Sequence, residues 1–252
     1  GQEGLLRTKR NSSPTNPLPE AFYNRLVEAF RSYMLVGGMP EAVATYTETG
    51  SYRYSSDIVN EIIQGYQDDF AKYGAKANPL LLRQTLISVA HQAGAKFVCS
   101  RVEGQYRSAE VKVALEMLKD AGLIIPTYHT DANGVPLGAE INERVVKYLI
   151  HDTGVLLGIL GIDDDIDERI KEMMVADSID LVDKGHVAEM MAGLELIKYS
   201  SPQTRHQLYY WQNMNKGTCA EVDYVIARSG SIVPIEVKSG VKGSMSSMYS
   251  LM

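Results

Sequence analysis

The chain has 252 residues (27.9 kDa), with 25 Lys+Arg against 31 Asp+Glu, a net charge of −6 and a pI near 5.4. Hydrophobic residues make up 45% and charged residues 22%; this globular composition excludes a wholly disordered chain, and the acidic balance excludes a generally basic nucleic-acid coat, though not a local site. Cys99 and Cys219 stand outside any metal-ligand spacing and no apolar run nears the roughly 18 residues of a membrane span, so the expectation is a soluble cytoplasmic chain with no disulfide framework and no membrane partner.

Residues 1–19 (GQEGLLRTKRNSSPTNPLP) are polar and proline-rich near their end, and read as a linker or arm. Residues 20–77 form a helical region. Phe22, Leu26, Ala29, Phe30 and Tyr33 recur at helical spacing and are expected in the core. GGMP at 37–40 stops that helix, and Pro40 suits the first turn of the next. A third helix is expected after Ser56, capped by Ser56 or Asp57, with Ile58, Ile62, Tyr66 and Phe70 on one face.

Residues 78–150 read as helix, irregular segment, helix, strand, loop and strand. Asn78-Pro79 is a cap followed by a first-turn proline. Ser108 is expected to cap a helix with Val111, Leu115 and Leu118 inward, stopped by Gly122. LIIPTYH is then a strand, DANG a turn and RVVKYLI the returning strand, which is the layout of a winged helix. The outer face of the Ser108 helix carries Glu110, Lys112, Glu116 and Lys119. That mixed charge favours protein packing over DNA contact, where phosphates want a basic surface.

Residues 151–252 open with an acidic stretch: 163–183 holds nine acids and two bases. Its alternating Asp163, Asp165 and Asp167 have Glu168 and Met174 where a calcium loop needs Gly and Glu, so the acids are read as complementing a helix dipole. A helix over 183–200 follows, with Val187, Met190, Met191, Leu194 and Ile197 as its apolar stripe; Glu189 lies beside that stripe, at the core edge. His186, one turn earlier, reads as an exposed helix-start residue. QLYYW is a strand whose Tyr209, Tyr210 and Trp211 read as packing rather than base-stacking groups, followed by a turn at Lys216-Gly217. Lys238 and Lys242 stand near the candidate site, and 183–252 has seven bases and six acids, a balance that permits nucleic acid.

EVDYVIAR and SIVPIEVK are separated only by Ser229-Gly230, a two-residue hairpin turn. Facing residues then have numbers summing to 459, so Asp223 faces Glu236, Val225 faces Pro234 and Glu221 faces Lys238. Val222, Tyr224, Ile226, Val233, Ile235 and Val237 fall together on the other face, an all-apolar core side. Directly opposed residues have Cβ atoms about 4.5–5.5 Å apart, and like charges so placed destabilise the pair. Either a divalent cation, Mg²⁺ or Mn²⁺, or neutralisation by Lys238 and Arg228 would compensate the two acids.

Glu189 on a helix, Asp223 on a strand and Glu236-Val237-Lys238 on the next resemble the core of the PD-(D/E)XK nuclease-like superfamily. More closely, YMLVGGMPEAV, YQDDFAKY, VVKYLIHDTGVL, the LYYW strand and AEVDYVI with IVPIEVKSG resemble a prokaryotic domain of unknown function that follows the ATPase module in many predicted AAA-type ATPases. The fold class implied is α+β: a helical N-terminal part, a winged-helix-like module, then a nuclease-like α/β domain; such domains continue with a helix and a strand after the Glu-x-Lys strand, so either the native protein is short or its tail is missing. The resemblance implies that Asp223, Glu236 and Glu189 hold Mg²⁺ or Mn²⁺, that Lys238 orients water or stabilises phosphate charge, and that nucleic acid, DNA rather than RNA, is cleaved. It also implies an upstream ATPase domain as partner and holder of ATP, since no G-x-x-x-x-G-K-[ST] loop occurs in these residues. The alternative is a non-catalytic module that binds DNA or protein and regulates the ATPase.

Overall fold

The computed structural model describes residues 2–13, 15–73, 78–161, 184–200, 207–213, 220–238 and 246–251. The readings of the 163–183 acids, of the Lys216-Gly217 turn and of Lys242 fall outside them. Nine helices appear among the described residues: α1 (Gln2–Arg10), α2 (Glu20–Val36), α3 (Pro40–Thr49), α4 (Tyr52–Phe70), α5 (Pro79–His91), α6 (Ser108–Asp120), α7 (Thr153–Ile159), α8 (Lys184–Lys198) and α9 (Ser246–Leu251). The strands are β1 (Ile124–Thr130), β2 (Ile141–Ile150), β3 (Leu208–Gln212), β4 (Glu221–Val222), β5 (Tyr224–Arg228) and β6 (Ser231–Ile235). The protein is thus a mixed α+β molecule.

Several expected boundaries move. The N-terminal arm contains a helix, because EGLLRTKR has good helix formers with an acid in the first turn and bases in the last. In α2 the residues at the C-terminal end, Met34 and Val36, are buried, whereas Ala29 and Phe30 are exposed. The α4 helix starts a turn earlier than expected, capped by the Ser51 hydroxyl, which accepts from the Tyr54 N–H. Tyr52 drives that extension: it is buried, its hydroxyl meets those of Ser32 and Tyr46, and its ring lies 4.8 Å from that of Tyr46. The inward face of α4 shifts accordingly to Val59, Ile63 and Phe70, leaving Ile58, Ile62 and Tyr66 half-buried. Ser108 is the first helical residue of α6 rather than its cap, and the Glu110 carboxylate accepts from the Arg107 N–H instead. The expected Asn78 cap, the Pro40 start and the stop at Gly122 all hold.

The segments GGMP and HDTG meet in space. Asp152 caps α7 by accepting from the Val155 N–H and also accepts from the Gly38 N–H at 2.6 Å. A Cβ on Gly37 would lie 2.2 Å from Asp152 Oδ1, and Gly37 has φ +78°, so only glycine fits both the turn and the approach.

β1 and β2 pair antiparallel from Ile124–Ile150 onward, as expected of a returning strand, but they are not a free-standing wing. β1 also pairs in parallel with β3, and β3 antiparallel with β4, giving a four-stranded sheet of order β2-β1-β3-β4. Strands from 124–150 and from 208–222 therefore share one sheet. The connection between β1 and β2 is longer than the DANG turn, with a 3₁₀ turn at Leu137–Glu140. One buried cluster runs from α2, α4 and α5 through α6, α7 and the sheet to Val187, Met190 and Leu194 of α8 and Tyr224 of β5.

Candidate functional site

β5 and β6 form a hairpin with the expected register: Tyr224 faces Ile235, Val225 faces Pro234 and Arg228 faces Ser231. Ser229 and Gly230 both have positive φ (52° and 78°), the turn geometry whose twist matches that of the strands. The register does not continue outward as expected. The chain bends at Asp223, and Glu221 and Val222 leave the hairpin to pair with Gln212 and Trp211 of β3. The all-apolar core side is corrected with it. Tyr224, Ile235 and Val237 pack on the main core, while Val222, Val225 and Ile232 join a second cluster with Ala132, Leu137, Met248 and Leu251. The bend breaks the alternation of the strand, so one apolar set splits between two cores.

Asp223 sits at that bend. Its Oδ2 accepts from the Val237 N–H at 2.7 Å, so the side chain takes over where backbone pairing ends. Burial raises its carboxyl above the ordinary range; the Val237 N–H opposes this, and the nearby Glu236 carboxylate adds to the rise. Glu236 has a side chain only 6% exposed; its Oε1 bonds Lys238 Nζ, and its buried Oε2 has no hydrogen-bond partner among the described residues. Lys238 is exposed beside it. Burial works against the charge of Lys238 less than its bond to Glu236 favours it, so the lysine stays cationic.

Glu189 lies on the inner face of α8, 8% exposed, as its place beside the apolar stripe predicts. α8 comes close to the sheet because residue 193 is glycine: a Cβ there would stand 2.5 Å from Tyr224 Oη and 2.7 Å from Leu149 Cδ1. Tyr224 Oη donates to the Glu189 carbonyl at 2.8 Å. Glu189 Oε1 accepts from Lys147 Nζ at 2.9 Å. Burial pushes the Glu189 carboxyl up to about 7 against the pull of Lys147, and Asp223 and Glu221 add to the rise. His186 is exposed, with its ring against Gly94.

Glu221 does not face Lys238. Its Oε1 lies 2.5 Å from Lys147 Nζ, so Lys147 bridges Glu189 and Glu221. Sequence reading missed Lys147, although a lone charge inside the apolar run RVVKYLI was a visible signal. Tyr210 is fully buried and Trp211 packs against the second cluster, so both are packing residues.

Among the described residues, no three His, Cys, Asp or Glu side chains stand together in a metal-holding arrangement. The mouth of the hairpin nevertheless presents two carboxylates, Asp223 and Glu236, with one buried oxygen that has no partner among the described residues. That donor set fits Mg²⁺ or Mn²⁺, hard ions that take one or two carboxylates and complete their shell with water and phosphate oxygens.

A family model described as a domain of unknown function (DUF8612) matches residues 27–166. A second, also described as a domain of unknown function (DUF4143) and commonly found C-terminal to AAA ATPases, matches residues 184–252. No curated protein and no solved structure gives a significant match.

Proposed function

The chain belongs to the DUF8612 domain family, and we propose that it is the C-terminal region of an AAA-type ATPase, ending in a nuclease-like domain that hydrolyses phosphodiester bonds with Mg²⁺ or Mn²⁺. One observation carries this reading. Asp223, Glu236 and Lys238 meet at the bend where the β5–β6 hairpin ends, beside an α8 helix that buries Glu189. Asp223 and Glu236 hold the ion. The bound ion supplies Lewis acidity, polarising a phosphate and lowering the pKa of water. Lys238, exposed and cationic, offers its charge to the scissile phosphate and orients the attacking water. Water oxygen adds to phosphorus, the bond from phosphorus to one sugar oxygen breaks, and that oxygen leaves with a proton. The substrate is nucleic acid, DNA rather than RNA, and ATP acts only in the upstream ATPase domain. On this reading α6 with β1 and β2 is the winged-helix-like module.

Calorimetric titration of Mn²⁺ into the chain and into Asp223→Ala tests the proposal, with cleavage of plasmid DNA as its companion. The expected result is Mn²⁺ binding and cleavage that both vanish in the variant while its far-UV circular dichroism is unchanged. Cleavage that persists in Asp223→Ala sinks the assignment. A second reading, a non-catalytic module that regulates the ATPase by binding DNA or protein, is favoured by the lysines already compensating the acids. A folded chain that binds no Mn²⁺ would select it.

A further inference from the structure

Lys147 is a charge where strand chemistry calls for an apolar residue. It stands in β2 with a side chain 2% exposed, 5.0 Å from the Tyr210 ring, and its two ion-pair partners both come from the far part of the chain. Lys147 lies within residues 27–166, whereas Glu189 and Glu221 lie within 184–252. A buried cation is costly unless paired and hydrogen-bonded, so these bonds form wherever the two parts are docked. The first of them occupies Glu189 Oε1. With every carboxylate ionised, Glu189, Glu221, Asp223 and Glu236 against Lys147 and Lys238 leave two negative charges, which one divalent ion neutralises.

We infer that Lys147 is an internal cation of this site: it withholds Glu189 from the Asp223/Glu236 pair, and a divalent ion recruits Glu189 only when Lys147 lets go. A residue of the 27–166 part thereby sets how many carboxylates the metal sees. The inference rests on the proposed metal reading. It makes Lys147 a positioning residue, which acts through Glu189 rather than on substrate. Affinity for divalent ions follows the number of charged ligands, so freeing Glu189 tightens binding.

The test is Mn²⁺ calorimetry near neutral pH on the full chain, Lys147→Met, Glu189→Gln and the double variant. The expected result is about tenfold tighter binding in Lys147→Met, lost again in the double variant, with Glu189→Gln alone within about twofold of the parent. Should Lys147→Met fail to fold by circular dichroism, Glu189→Gln carries the test, because a tenfold loss there means that Glu189 already ligates and overturns the inference. Equal, Asp223-dependent affinity in the parent and Lys147→Met overturns it as well, leaving the metal reading intact. No Mn²⁺ binding in any folded chain removes both.

Discussion

At the scale of single residues, the site is governed by burial of charge. Glu189 carries a folded pKa of about 7 against an ordinary 4.5, raised first by burial. The folded state therefore keeps a proton that the unfolded chain has released between those values. Stability from this group is fully present below about pH 4.5 and is lost as the pH rises through about 7. Urea midpoints of the metal-free chain should fall from about pH 5 to pH 7.5, and the fall should be shallower in Glu189→Gln, which has no proton to lose. An equal slope in the two proteins would contradict the raised pKa. Close to this group, Gly193 lets α8 reach the sheet. Gly193→Ala would drive a methyl into Tyr224 Oη and Leu149, and overpacking of this kind costs about 1–3 kcal/mol, which a urea titration would register.

At the scale of elements, the hairpin was legible because two independent signals agreed, a two-residue turn and an alternation of apolar residues. Ser229 is the weaker half of that turn, since a positive φ costs a residue with a Cβ about 1–2 kcal/mol unless its side chain bonds locally. Ser229→Asn should accordingly stabilise the chain by about 0.5–1 kcal/mol, read as a higher thermal midpoint, whereas Gly230→Ala should destabilise it by a similar or larger amount. The hairpin's outer end was not legible. Nothing local in Glu221-Val222 says that β3 will outcompete Lys238 for this stretch, because β3 is a partner chosen by tertiary packing. The same limit explains the α4 cap. Ser51 and Ser56 are equivalent caps in sequence, and only burial of Tyr52 against Ser32 and Tyr46 decides between them. Asp223, Glu236, Lys238 and Glu189 could be singled out because their types and order match a family pattern. Lys147 was missed because its meaning lies in residues 42 and 74 positions away.

At the scale of the whole molecule, the two family segments are not independent bodies. β1 of the first is flanked by β2 of the same segment and by β3 of the second, and the main core mixes Leu86, Leu118 and Leu156 with Met190 and Tyr224. A sheet interior strand cannot be withdrawn without exposing unpaired backbone groups, which is costly on both sides of the break. Buried Lys147 adds to the coupling, since separating the segments leaves its charge without Glu189 and Glu221. Unfolding should therefore be one cooperative step. Two probes report on different segments: Trp211, the single tryptophan, lies on β3, while most of the helix among the described residues lies before residue 160. Trp211 fluorescence and far-UV circular dichroism should give the same urea midpoint. Separated midpoints would show that the sheet parts between β1 and β3 before either segment unfolds. Lys147→Met is expected to lower the shared midpoint, with a loss of stability of about 3–5 kcal/mol if the buried Glu189 carboxylate stays ionised without a partner, and to do so without splitting it. A split in that variant alone would identify the ion pairs, rather than the strand pairing, as the tie between the segments.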